Sequence, residues 1–297
     1  TLDFNAQISE LGKIENDKIS DNLIFVGSGD SYVAGLIAEY LTHHKYKSYS
    51  PSDLFNSELS KDRTYCFVSV TGKTKSNISV AKCASQVGCK TVAITFNENS
   101  KLAQVCDKII VPILKRAHRP TAGFGGFVAN AVTCLQVSGI AVPEKFKMWY
   151  QNAVKISQNV VDSLVLPADT VFVLGNNTLY PLALYTSLQL TEFFGTTAVA
   201  HKLEEFCHSP LFGVRNAHQL VILGQKEKSM AQKLGKLDLK ISYIVLYNQE
   251  ILSQLFESIF FVQDLMILLA ERYGSTELYY RMSKHALKVS SEIIYYG

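Results

Sequence analysis

No apolar run in the 297 residues reaches 18 positions, so the sequence offers no uninterrupted membrane span. Charge of one sign is also missing. The 29 basic residues face 26 acidic ones, and a net charge of +3 is too small to mark a nucleic-acid partner. The six cysteines (66, 83, 89, 106, 134 and 207) contain no C-x-x-C pair. That spacing excludes a zinc-ligand pattern, and the chain length argues against a disulfide framework, so reduced and mostly buried thiols are expected. Thr1-Leu2-Asp3-Phe4 lacks the basic-then-apolar order of a secretory signal, which points to a cytoplasmic setting. Charged residues are scarce too, at 19% against 47% hydrophobic, so the chain can bury a large core and is not disordered. Its length fits two domains.

Short apolar runs alternate with longer amphipathic ones. Asn22–Gly27, Tyr65–Val70, Thr91–Thr95 and Lys108–Val111 are Val/Ile-rich without clean alternation. They read as strands buried on both faces, and helical stretches between them indicate a parallel α/β sheet. Phe127–Ile140 reads as a helix. The plan restarts after Pro143, with a helix over Lys145–Leu164, a strand Thr170–Gly175 ending in glycine, and a helix Leu179–Phe194 closing at Gly195. Gln219–Gly224 and Ile241–Tyr247 are further strands, and Ile251–Arg272 is a long apolar helix. The expected domains are residues 1–142 and 143–297, as two copies of one α/β unit.

Two turns stand out. Gly27-Ser28-Gly29-Asp30-Ser31-Tyr32 joins a strand to a helix. Glycine lets the backbone approach a ligand, and the helix that follows offers free N–H groups to an anion. Tyr32 occupies the third-glycine position of a dinucleotide fingerprint, which speaks against NAD. Ser69-Val70-Thr71-Gly72-Lys73-Thr74 follows the next strand. Three hydroxyls around one glycine make a cradle for a phosphate without a metal, and the spacing is not that of a P-loop. Both turns fall at the carboxyl ends of strands, where open α/β sheets bind ligands.

With these two turns and Val173–Leu184 (VLGNNTLYPLAL), the sequence resembles the sugar isomerase (SIS) family. In particular it is similar to the isomerase half of glutamine–fructose-6-phosphate aminotransferase and its relatives without a glutaminase domain, glucosamine-6-phosphate deaminase-like proteins among them. The resemblance implies two SIS domains, each a five-stranded parallel Rossmann-like sheet flanked by helices. It implies a hexose phosphate substrate touching Gly29, Ser31, Ser69, Thr71, Gly72, Thr74 and Thr121, with no metal and no cofactor. It also implies a homodimer, because a histidine segment often comes from the neighbouring subunit.

The family spacing of a helix-end glutamate and a histidine sixteen residues on is met by Glu192 and His208. Glu192 lies where the negative end of the helix dipole raises a carboxyl pKa, which suits proton transfer between C1 and C2 of a sugar. His208 is expected to open the sugar ring. Lys288, with Lys284 as the alternative, is expected at the carbonyl or enolate. The sequence departs from the family pattern at Gln189, where aminating members carry lysine, at Ser209 in place of the glycine of H-G-P, and at Lys73 in place of glutamate. The expected chemistry is aldose–ketose isomerisation through an enediol, extended to deamination of an amino-hexose 6-phosphate. Two alternatives stay open: phosphoglucose/phosphomannose isomerisation, and a sugar-phosphate sensor without turnover.

Overall fold

The computed structural model describes residues 18–112, 123–166, 168–224, 228–237, 239–275 and 277–296. The chain divides into two compact units, Thr1–Glu144 with His285–Gly297, and Lys145–Lys284. The boundary falls where the sequence restarts its pattern. Residues 285–297, expected with the second half, group instead with the first.

The first unit contains strands β1 (Leu23–Val26), β2 (Lys47–Tyr49), β3 (Thr64–Val68), β4 (Lys90–Ile94) and β5 (Lys108–Ile110). They form one parallel sheet in the order β2-β1-β3-β4-β5. Its helices are α1 (Asp30–Leu41), α2 (Lys75–Val87) and α3 (Phe124–Val137). All four residues of β1 and all five of β3 are buried, as a parallel sheet covered on both faces requires. The sequence pattern passes over β2, because Lys47-Ser48-Tyr49 lacks β-branched residues. What holds it is Glu39 at the end of α1. Its carboxylate accepts from the Ser48 amide at 2.8 Å, His44 Nδ1 at 2.8 Å and Lys47 Nζ at 3.1 Å. Burial raises the Glu39 pKa, yet these donors outweigh it and hold the carboxyl below its ordinary value.

The second unit opens with α4 (Phe146–Val160) and continues through β6 (Thr170–Gly175), α5 (Tyr180–Phe194), β7 (Thr197–His201), α6 (Leu203–His208), β8 (Gln219–Gly224), α7 (Lys228–Leu234), β9 (Lys240–Val245), α8 (Ile251–Arg272) and α9 (Tyr279–Met282). Its sheet is parallel in the order β7-β6-β8-β9, four strands among the described residues rather than the expected five. In each sheet the first strand of the unit lies between the second and the third.

Helix α8 is apolar and long enough to cross a membrane by length and composition, but 78% of its most apolar window is buried inside the protein. Its partner is α4, and the two run parallel. Lys145 meets Glu250 at 3.0 Å, the Trp149 indole N–H donates to Ser253 Oγ at 2.8 Å, and Asn152 donates to Glu257 at 2.8 Å. Ser157 donates to Asp264, and Arg272 donates to the Val161 carbonyl at 3.0 Å. A polar contact at nearly every turn fixes the register that leucine-on-leucine packing alone would leave free to slide. Between these contacts the Trp149 ring stacks on Phe256, with centroids 4.8 Å apart and planes 9° from parallel.

Trp149 is the one tryptophan of the chain and is fully buried in the second unit. Its fluorescence in a urea titration therefore follows the unfolding of that unit alone. Trp149→Phe is expected to lose about 1 kcal/mol with the indole hydrogen bond. Trp149→Ala is expected to lose about 3–5 kcal/mol, read by circular dichroism.

Candidate functional site

Strand β1 pairs with β2 on one side and β3 on the other, so the chain leaves β1 and β3 in opposite senses. The crevice between their carboxyl ends is the switch point at which doubly wound sheets bind ligands. Both hydroxyl-rich turns lie there, because Val26 is level with Phe67 in the sheet.

The first turn is tight. A Cβ on Gly27 would stand 2.7 Å from the Ser31 backbone, and Gly29 caps α1 with φ +56°. Ser31 is half-buried, and its amide donates to the Ser28 carbonyl at 3.2 Å. Asp30 already places a carboxylate in the first turn of α1, so the helix end that the sequence offers to an anion carries its own.

The second turn is better suited. Ser69 is buried, and its Oγ accepts the Gly72 amide at 3.2 Å and lies 3.5 Å from Thr74 Oγ1. Thr71 is exposed, and its Oγ1 accepts the Lys73 amide at 3.4 Å. Helix α2 then begins with no side-chain cap and no acidic residue in its first turn. Asn77 ties that turn to the sheet by donating to the Val68 carbonyl at 3.0 Å. The start of α2 thus has no side-chain cap and lies beside two threonine hydroxyls, an arrangement chemically suited to an oxyanion.

Two residues that sequence reasoning missed hold this turn from behind. Gly72 has φ +63°, and a Cβ there would meet Ser100 Oγ at 2.2 Å, Ser100 Cβ at 2.4 Å and Thr95 Oγ1 at 3.2 Å. Thr95 also donates to the Val70 carbonyl at 3.3 Å. Both belong to the turn that follows β4. The signal that could have revealed them is the same one, hydroxyl residues just beyond a buried strand.

The tail fastens to the same turn. Tyr295 forms an antiparallel bridge with Thr74, and the Tyr296 amide donates to the Lys73 carbonyl at 3.3 Å. Lys75 Nζ donates to the Glu292 carbonyl at 2.6 Å. The Tyr296 ring lies 4.5 Å from Lys101 Nζ and 5.8 Å from Lys75 Nζ. These contacts are the physical reason that residues 285–297 belong to the first unit. Lys288 sits on α10 (Lys284–Ile294) with its side chain 76% exposed, 4.0 Å from Glu292; Lys284 is exposed as well. Thr121, with His118 and Arg119, lies outside the described residues.

In the second unit, Glu192 stands in the last turn of α5, which closes at Gly195 with φ +66°. Burial pushes its carboxyl up to about 7. The elevation has the expected direction, and its cause is desolvation by burial. Gln189, one turn earlier, is fully buried. His208 ends α6 with its side chain 73% exposed, and the carboxylate beside it is Glu204 at 3.9 Å. The structure therefore gathers Gly29, Ser31, Ser69, Thr71, Gly72 and Thr74 at one sheet edge of the first unit. Glu192 and His208 belong to the other unit. Among the described residues, no three His, Cys, Asp or Glu side chains are grouped to hold a metal ion.

No family model matches the chain. It is 23% identical over 224 residues to glutamine–fructose-6-phosphate aminotransferase [isomerizing] of Campylobacter jejuni, a match covering 67% of this chain and 37% of that one. It is 29% identical over 91 residues to an uncharacterized protein of Archaeoglobus fulgidus, spanning 30% of this chain and 50% of the other. The matches thus span half or less of these relatives. Among solved structures, glucosamine-6-phosphate deaminase of Thermotoga maritima superposes with a TM-score of 0.71 at 19% identity, covering 86% of this chain and 87% of that one. The C-terminal domain of glucosamine-fructose-6-phosphate aminotransferase of Francisella tularensis gives 0.68 at 15%, covering 91% and 94%. Tagatose-6-phosphate ketose/aldose isomerase of Escherichia coli gives 0.64 at 16%, covering 86% and 83%. The chain shares the fold of these phosphosugar proteins.

Two outcomes are expected. Gly29 has open space behind it but holds φ +56° with ψ −131°, backbone that only glycine adopts readily, so Gly29→Ala costs about 1–3 kcal/mol through backbone strain alone. Gly72→Ala costs clearly more, and Ser100→Gly in the same chain recovers part of the loss; chemical denaturation measures all three. Glu192 gives a pH dependence of known sign. Its folded pKa of about 7 lies above the ordinary 4.5, so between those values the folded state binds the extra proton. Stability is therefore lost as pH rises through this window, by at most roughly 3 kcal/mol. Glu192→Gln should remove that slope in denaturation curves at pH 5 and pH 8.

Proposed function

We propose that this protein binds a hexose phosphate and interconverts its aldose and ketose forms. The observation that carries the reading is the Ser69–Thr74 turn. It is a hydroxyl-lined turn at the switch point of a parallel sheet, leading into an uncapped helix with no acid in its first turn. The shared fold with phosphosugar isomerases and a deaminase supports it.

In this reading Thr71, Thr74 and the first amides of α2 hold the phosphate, while Ser69 and Gly72 keep the turn in shape. Glu192 is assigned the proton transfer. As a carboxylate it takes the proton from C2 of the aldose, leaving a cis-enediol, and returns it to C1 to give the ketose. A carboxyl near pH 7 is matched to that task, since it is present in both forms at working pH. His208 is assigned ring opening and Lys288 the developing enolate charge. With a 2-amino-hexose phosphate the same shift leaves an imine, and uptake of one water releases ammonia with the ketose. The homodimer belongs to this proposal.

A second reading, binding without turnover, is favoured by one observation: His208 and Lys288 are both more than two-thirds exposed. One set of measurements separates them. The protein is mixed with glucosamine 6-phosphate, glucose 6-phosphate and fructose 6-phosphate, and ketose and ammonia are followed by NMR. Ammonia marks the deaminating form, and interconversion without ammonia marks the plain isomerase. Saturable binding without turnover leaves the sensor. Thr74→Val is expected to weaken binding of the phosphate esters at least tenfold and leave the weak binding of unphosphorylated sugar unchanged. Glu192→Gln is expected to bind normally and turn over at least a hundredfold more slowly.

A further inference from the structure

Three stretches of the first unit converge on the Ser69–Thr74 turn. Two bring lysines and the third brings a tyrosine. Lys73 and Lys75 belong to the turn and to the helix it starts. Lys101 follows Ser100, which backs Gly72, and the Leu102 amide donates to the Gly72 carbonyl at 3.2 Å. The third stretch is the tail. Its Tyr296 ring lies 4.5 Å from Lys101 Nζ and 5.8 Å from Lys75 Nζ, so one ring serves both ammonium groups. The residue is fixed at two points. Its amide donates to the Lys73 carbonyl at 3.3 Å, and its half-buried side chain packs against the core cluster to which Ile78, Ala81 and Leu102 belong.

Two ammonium groups gathered on one ring repel each other, and nothing nearby neutralises them. Among the described residues, Lys73, Lys75 and Lys101 form no ion pair. Glu292 accepts Lys75 Nζ through its carbonyl at 2.6 Å, while its carboxylate stands 4.0 Å from Lys288. The first turn of α2 holds no acid either. This positive charge is uncompensated, and an oxyanion on the turn is what it would stabilise.

We propose that Tyr296 is a positioning residue whose ring holds Lys75 and Lys101 beside the Ser69–Thr74 turn, so that an oxyanion bound by the neutral donors of the turn sits in a positive field. This role rests on the phosphate reading of the turn and adds a second layer to it. Thr71, Thr74 and the helix amides touch the anion and select its shape. The lysines act on it through charge, over a range of about 10 Å that salt shortens. A free lysine side chain spreads its charge over many rotamers, and the aromatic face narrows that spread.

The full chain is titrated calorimetrically with inorganic phosphate and with glucose 6-phosphate, at about 0.02 M and about 0.5 M sodium chloride. Tyr296→Phe should bind as wild type does, since the phenyl face still takes the ammonium groups. Tyr296→Leu keeps the apolar packing and lacks that face. It should bind both probes about tenfold more weakly at low salt and within about twofold of wild type at high salt. Lys75→Gln with Lys101→Gln should show the same loss without touching the tail. Adding Tyr296→Leu to that pair should cost little more, because the three side chains act as one unit. Unchanged binding at low salt in Tyr296→Leu or in the lysine pair overturns the proposal. So does a loss of equal size at both salt concentrations, or one that adds in full to the loss from the lysine pair. Thr74→Val keeps this failure apart from failure of the reading beneath it. If Thr74→Val weakens binding and Tyr296→Leu does not, the turn keeps its phosphate and Tyr296 loses its role. If wild type binds neither probe at low salt, both fall.

Discussion

All strands of a parallel sheet hand the chain on at the same edge, and most of what this protein offers chemically follows from that constraint. In the first unit β1 is flanked by β2 and β3, so the connections at its carboxyl end part company there. The gap they leave is lined by backbone that must turn sharply. Sharp turns want glycine, small hydroxyl residues stabilise them, and the helices that follow bring unpaired amides. A turn that offers neutral donors at this crevice is therefore close to what the topology produces by default. What distinguishes the two turns is charge. Asp30 fills the helix end after β1, whereas α2 begins without an acid.

The second unit follows the same winding, but its informative feature is a carboxyl at the far end of a helix. Burial of a lone carboxylate is expensive, and the cost appears as a shift of protonation toward neutral pH. Where a protein tolerates such a group without an opposing charge, the group is either an accident of packing or a tool for moving protons.

The central strands were readable because each carries an unbroken Val/Ile/Phe run with a glycine or hydroxyl turn at its end, and Ile251–Arg272 was readable over its full length. Strands β2 and β7 were not. Both are edge strands without such a run, and β2 is held by Glu39, several residues earlier in sequence. The turn at Ser69–Thr74 announced itself through local composition. Ser100 and Thr95 did not, since they meet Gly72 through the neighbouring strand β4. The direction of the Glu192 shift was legible and the burial behind it was not, because α5 is packed by elements from elsewhere in the chain, α8 and α9 among them.

The first unit is made of two stretches of chain, with all of Lys145–Lys284 lying between them. During synthesis, therefore, the turn at Ser69–Thr74 leaves the ribosome long before Tyr295 and Tyr296, the residues that fasten to it. At about 5–20 residues per second, the nascent chain waits on the order of 10 s for its last fastening. Throughout that interval the lysines at 75 and 101 lack their aromatic partner, and the edge of the Ser69–Thr74 turn stands open. Completion of the first unit is thereby tied to completion of the second. A chain cut short inside α8 would carry the hydroxyls of the turn but not the strap that holds it.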